Sequence, residues 1–113
     1  MISASFTLSL PPTTNHIWRH TGRRVYMTAQ AKLWKQEAQW VFKTKWKTDI
    51  LQEPVRVIAN FYLKRDRDVD NLKLLLDSLQ DIVVVDDSQV VELHVMKHRD
   101  PDPRVEVRVE TLV

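Results

Sequence analysis

Two apolar segments of this chain each run straight into a cluster of carboxylates. A strand-like pattern over residues 55–63 leads into Asp66-Arg67-Asp68-Val69-Asp70-Asn71-Leu72-Lys73, and a short β-branched run over 82–85 leads into Asp86-Asp87-Ser88-Gln89. Carboxylates at close range repel, and the repulsion raises one pKa unless a cation compensates. A fold that brings the two segments together therefore creates a place for a divalent ion. Hard cations such as Mg²⁺ take oxygen ligands, needing one or two protein carboxylates plus water and substrate phosphate. Phosphate chemistry is the first functional expectation.

The surrounding pattern reads as an α+β domain. Residues 2–10 alternate, with Ile2, Ala4, Phe6, Leu8 and Leu10 on one side and Ser3, Ser5, Thr7 and Ser9 on the other, and Pro11-Pro12 ends the run because proline gives a ladder no donor. A polar, basic loop follows over 13–24 and holds the only glycine, Gly22. Thr28 is a plausible N-cap for a helix reaching about residue 47, with Trp34, Ala38, Val41, Phe42 and Lys45 on one stripe. Lys32, Lys35, Lys43 and Lys47 lie on the opposite face.

Residues 55–63 form a second strand covered in part on both faces. Asp68 or Asp70 can start a short helix through Leu79, with Leu72, Leu75, Leu76 and Leu79 as its buried side. Residues 82–85 read as a brief strand, and 90–97 and 104–112 as a hairpin joined by the turn-rich 98–103. The expected order is β-α-β-α-β-β-β, a mixed sheet with two main helices on one face.

The chain has 113 residues, the size of one domain, so residues 1–113 are read as a single unit. The absence of cysteine excludes disulfides, a thiolate nucleophile and Cys-based zinc, and fits a reducing compartment. No apolar stretch approaches a membrane span and the first residues lack a leader pattern, so a soluble cytoplasmic protein without membrane contact is expected. Split after Lys47, the first part carries eight Lys/Arg against Glu37 alone and the remainder nine Lys/Arg against fourteen acids, so +2 overall conceals +7 and −5. A basic part can neutralise phosphates while an acidic one holds metal, although charged faces in water give the same counts.

Taken alone, Asp68 and Asp70 also read as a solvated helix start, and Asp86-Asp87-Ser88 as a turn between strands. Asp70 and Lys73 are three apart and share a helical face, where a lysine can stabilise charge on a phosphate or a leaving oxygen. Asp87 would complete a ligand set. Arg19, His20, Arg23 and Arg24 with Trp18 could grip phosphates and stack on an unpaired base, and the helix lysines could follow a DNA arm without reading sequence. Trp34, Trp40 and Trp46 do not share a helical face and are read as core or dimer contacts. His16, His20, His94 and His98 show no metal-ligand spacing.

Three blocks together carry a family resemblance. Asp68-Val69-Asp70-Asn71-Leu72-Lys73, Leu75-Leu76-Asp77-Ser78-Leu79 and Asp86-Asp87-Ser88-Gln89-Val90 closely resemble the RusA family of Holliday-junction resolvases, whose pattern is Asp-x-Asp-Asn-Leu-x-Lys, a Leu-Asp-Ala-Leu helix and Asp-Asp-x-Gln-Val/Ile. Pro11-Pro12-Thr13-Thr14-Asn15-His16-Ile17-Trp18-Arg19 is similar to the family's Pro-Pro-Ser-x-Asn-x-x-aromatic-Arg entry, and Tyr26-Met27-Thr28 precedes a basic helix as it does there. The resemblance covers nearly the whole chain.

It implies a metal-dependent endonuclease of bacterial, prophage or phage origin, active as a homodimer, that nicks two strands of a four-way DNA junction symmetrically for recombination and repair. Asp68, Asp70 and Asp87 would be catalytic carboxylates holding Mg²⁺, with Mn²⁺ a substitute, and Lys73 the catalytic lysine. Asp86 and Asn71 would support them. Asn15, Trp18, Arg19, Arg23, Arg24, Lys32 and Lys35 would face DNA. A non-catalytic junction-binding protein and a general metal-dependent nuclease acting on flaps or single strands are the alternatives.

The chain departs from the pattern at two places. Leu72 and Lys73 are adjacent where the family has one residue between them, so counting forward from Asn71 selects Leu74 and counting back from Asp77 selects Lys73. Lys73 is preferred because i+3 stays on the face of Asp70. Asp81 stands where a glycine often ends the helix, and aspartate tolerates the left-handed conformation better than most residues.

Overall fold

The computed structural model describes residues 2–12, 18–21, 24–67, 69 and 72–112; for 18–21 and 24–26 the backbone alone is described. Strand β1 spans Ser3–Leu8, β2 Trp18–Thr21, β3 Arg24–Met27, helix α1 Ala29–Lys45, β4 Val55–Leu63, α2 Leu72–Leu79, β5 Val90–Arg99 and β6 Arg104–Thr111. The domain is α+β. Its main sheet is mixed, in the order β1-β6-β4-β5, and β2 pairs with β3 as a separate antiparallel hairpin.

Period-2 burial builds the sheet's inner face. Val55, Val57, Ala59, Phe61 and Leu63 of β4 alternate with half-buried Arg56, Ile58, Asn60 and Tyr62. Their neighbours in register on β6 are Val109, Val107 and Val105, which in turn face Ala4, Phe6 and Leu8 of β1. Onto this face pack Ala31, Trp34, Ala38 and Phe42 of α1 with Leu74, Leu75 and Leu79 of α2. Phe6 meets Phe42 edge to face at 4.8 Å between ring centroids. Burial of this apolar surface drives the fold.

Helix α1 starts as its sequence requires: Thr28 is the N-cap and its Oγ1 accepts from the Ala31 amide at 3.2 Å. Trp34 and Trp46 belong to the core, and each indole N–H is satisfied, by the carbonyls of Ser9 and Asp49 respectively. Trp40 is 68 % exposed, so it is not a core residue. On α2 the buried side is Leu74, Leu75, Ser78 and Leu79, while Leu72 and Leu76 are only partly covered.

Three expectations need correction. Residues 13–24 are not a plain loop, because the β2–β3 hairpin begins inside them; four-residue strands rich in basic side chains carry too little alternation to read. Residues 82–85 are not a strand. The amides of Val83 and Val84 both return to the Leu79 carbonyl, Asp81 takes φ 66°, and only bridges at Val84 to Leu51 and Gln80 remain. Val83 and Val84 are nonetheless fully buried, so their strand-like composition reflects burial and not a ladder.

The third correction concerns β5 and β6, which are not a hairpin. Both pair with β4, β5 in parallel and β6 antiparallel. The chain leaving β5 crosses the end of β4, where the Asp100 amide donates to the Leu63 carbonyl at 3.0 Å. Fully buried Val105, Val107 and Val109 explain the placement, since an interior strand between β1 and β4 covers them and an edge position would not. The order is therefore β-β-β-α-β-α-β-β. Among the described residues no helix is long and apolar enough to cross a membrane.

Candidate active site

Helix α2 and the short 3-10 turn at Asp87–Gln89 lie against one another, and side chains from both converge on a lysine in the helix's first turn. Lys73 Nζ donates to Asp87 Oδ2 at 2.8 Å and to Asp77 Oδ1 at 3.0 Å. Asp77 is one helical turn beyond Lys73, so both occupy the outer face of α2. Leu74 points the other way and is 3 % exposed in the core. The structure thus puts Lys73, not Leu74, beside the second acidic block.

The hydrogen bonds from Asp87 and then Asp77 hold the Lys73 ammonium well above the ordinary lysine range. It is a fixed cation at neutral pH and has no lone pair to act as a base. A fixed cation can donate to a phosphate oxygen or balance charge on a leaving oxygen.

Asp87 is held by its neighbours on the turn. Asp86 caps it, its Oδ2 accepting from the Ser88 amide at 3.0 Å, with a reciprocal capping box closed by Gln89. Gln80 Nε2 donates to Asp86 Oδ1 at 3.2 Å. The bonds from Ser88 keep the Asp86 carboxyl below the usual carboxylate range. Asp86 is therefore a structural support for the turn that presents Asp87.

Gln89 is the residue that sequence reasoning missed. Its Oε1 accepts from the amides of Val85 and Asp86, both at 2.9 Å, and its Nε2 donates to the carbonyls of Leu51 at 2.8 Å and Glu53 at 3.0 Å. One side chain thereby ties the acidic turn to the segment entering β4. The Asp86-x-x-Gln89 spacing of a capping box was the available signal. Asp77 was equally readable as an i+4 partner of Lys73.

On the other acidic segment, Val69 packs against the core between the two aspartates. Arg67 Nη2 donates to the Pro11 carbonyl at 2.6 Å, joining this segment to the end of β1 and the Pro-Pro block. Asp68, Asp70 and Asn71 lie outside the described residues, as do Asn15 and Arg23. Trp18 and Arg19 sit on β2 and Arg24 on β3. Lys32 is exposed and Lys35 half-buried on α1, where both line a shallow groove with Met27, Gln36 and Gln39.

Among the described residues no three Asp, Glu or His side chains converge as a metal cage. The described part of the donor set suits a hard cation. Asp87 offers only oxygen, accepts only at Oδ2 among the described residues, and is a quarter exposed, so a divalent ion and its waters can reach it.

Comparison with known proteins places these features in a family. The family model described as endodeoxyribonuclease RusA matches residues 9–110. The chain is 31 % identical to the crossover junction endodeoxyribonuclease rusA of Enterobacteria phage HK97 over 113 aligned residues, covering 95 % of this chain and 93 % of that protein. It is 31 % identical to the crossover junction endodeoxyribonuclease RusA of Escherichia coli strain K12, covering 86 % and 84 %, and 30 % identical to that of Enterobacteria phage 82, covering 80 % and 79 %. With the match running from the end of β1 into β6 and including both acidic blocks, this chain belongs to the RusA family of endodeoxyribonucleases.

Proposed function

We propose that this protein is a Mg²⁺-dependent endodeoxyribonuclease that resolves four-way DNA junctions by paired, symmetric nicks and works as a homodimer. The observation that carries the reading is the 2.8 Å contact between Lys73 and Asp87, which brings residues from two separate motif blocks to one point on the surface of a chain of this family.

Asp68, Asp70 and Asp87 would hold the ion. When bound, Mg²⁺ orients and activates a water and clamps the phosphate. Lys73 would supply a permanent positive charge to the phosphate or the leaving oxygen, with Asp77 as the second carboxylate that holds its ammonium in place. Asp86 and Gln89 hold the turn that presents Asp87, which limits the reorganisation needed at the moment of reaction.

Two incisions on strands of like polarity call for two sites related by a twofold axis, which a dimer supplies. The edge strand β5 offers a surface for the second copy. Val91 is 57 % and Leu93 39 % exposed, although Leu93 stands in register beside fully buried Val57. The apolar inner face of the sheet therefore continues past its helical cover.

The test is a labelled four-way junction incubated with and without Mg²⁺, using the native protein and Asp70→Asn. Paired nicks at symmetric positions that require Mg²⁺ and vanish in Asp70→Asn, with junction affinity equal or higher, support the reading. Binding without cleavage would make it a junction-binding protein, and scattered nicks on flaps or single strands a general nuclease.

A further inference from the structure

The end of the main sheet where β4 and β5 leave together carries more positive charge than its packing explains. In register, the inner row of β4 passes from Val57 through Ala59 to Phe61 and Leu63, while its β5 neighbours pass from Leu93 through Val95 to Lys97 and Arg99. Cations thus take over where the apolar cover stops. Beyond β4 follow Lys64 and Arg65, both exposed, and then Arg67. Arg99 Nη1 donates to the Lys64 carbonyl at 3.0 Å, so the two segments are in contact.

The nearby acids do not cancel this charge. Asp66 is the one acid within the two segments, and it bonds Lys97 at 2.9 Å in a recess lined also by Leu63, His98 and Arg99. Asp100 and Asp102 in the following turn face Arg104, at 3.4 and 3.9 Å, and Asp100 also caps the Asp102 amide. Glu106 lies 3.3 Å from Arg104 as well. Lys64, Arg65 and Arg99 have no carboxylate partner among the described residues.

From this we infer that Lys64, Arg65, Lys97 and Arg99 form a phosphate-binding surface that holds a duplex arm of the DNA substrate next to the acidic segment. The inference rests on the nuclease reading for the identity of the ligand. Connectivity supports it: Lys64 and Arg65 stand directly before the segment carrying Asp68 and Asp70, so a duplex engaged here lies beside the reacting phosphate. Contacts of this kind position DNA without reading its sequence. The Asp66–Lys97 pair holds one of the four cations in reserve, and an incoming phosphate can replace Asp66 as its partner. The competing explanation is that charges on an edge strand prevent sheet-to-sheet aggregation. That explanation predicts no effect on DNA binding.

The experiment is a fluorescence titration of a labelled four-way junction in EDTA over a series of salt concentrations. It compares the native chain, Lys64→Gln/Arg65→Gln, Lys97→Gln/Arg99→Gln and Asp66→Asn, with thermal melts to verify folding. Each double variant is expected to weaken binding about tenfold or more and to make the slope of log K against log salt shallower by about two, one counterion for each phosphate that is no longer neutralised. Asp66→Asn is expected to tighten binding. Native-like affinities and slopes in both double variants would overturn the phosphate surface while leaving the nuclease reading in place. Failure of the native chain to bind the junction at all would remove both.

Discussion

Lys73 and Asp87, fourteen residues apart in the chain, meet at 2.8 Å between Nζ and Oδ2. The contact joins the outer face of α2 to the 3-10 turn that precedes β5. It also decides which of two adjacent residues stands beside the second acidic block, since Leu74 is buried against the sheet.

Replacement of the lysine should therefore separate rate from binding. Lys73→Ala is expected to lower the single-turnover cleavage rate by about 10²- to 10³-fold, the usual cost of removing one preorganised charge donor, with junction affinity changed far less. Leu74→Lys should not restore it. A charged side chain at that fully buried position is expected to destabilise the domain by about 3 kcal/mol or more in urea unfolding, through poorer packing and unpaired burial. Rescue by Leu74→Lys in the Lys73→Ala background would show that the wrong residue has been assigned.

Gln89 supports the site without touching it. Gln89→Ala removes four hydrogen bonds to backbone groups at the acidic turn and the entry to β4, and it should cost about 2 kcal/mol in urea unfolding. Because Asp87 rides on that turn, the same variant should weaken Mn²⁺ binding as well. Gln89→Glu keeps the two acceptor bonds but sets a carboxylate oxygen against the Leu51 and Glu53 carbonyls, so it too should be less stable than the native chain at neutral pH.

Acid sensitivity should arise away from the site, on the open face of the sheet. Glu110 accepts from Arg56 at 2.8 Å and Arg108 at 3.1 Å, and the Arg56 bond holds its carboxyl below the usual glutamate range. A carboxylate with a depressed folded-state pKa adds stability that is present above its unfolded value and is lost as pH falls through the folded one. The window therefore lies below about pH 4.5. In urea midpoints measured against pH, Glu110→Gln should be less stable than the native chain at neutral pH and converge with it in acid. A constant gap across that range would contradict the ion pair as the cause.

Much of the fold was legible because burial imposed clean periods. The alternation of residues 55–63 became β4, and Thr28 became the cap of α1, since both follow from local chemistry. Asp81 takes the left-handed conformation that an aspartate after a helix end tolerates better than most residues. What failed depended on partners distant in sequence. The turn-rich 98–103 signalled a hairpin, yet β6 is drawn to the far side of β4 to cover Val105, Val107 and Val109. Val83 and Val84 looked like strand residues because buried turns and strands select the same side chains. At the site, the two blocks that hold Lys73 and Asp87 were legible through the family resemblance. The tie made by Gln89 was not, because two of its partners are carbonyls of Leu51 and Glu53 that no local pattern connects to it.

If the proposed function holds, Asp87 shares one divalent ion with Asp68 and Asp70. Mn²⁺ binding followed by electron paramagnetic resonance tests this without recourse to activity. The native chain should bind Mn²⁺ competitively with Mg²⁺, and Asp68→Asn, Asp70→Asn and Asp87→Asn should each weaken that binding by at least about tenfold, while Lys73→Ala leaves it intact or tighter. If Asp87→Asn binds Mn²⁺ as the native chain does, the two acidic segments do not form one metal site.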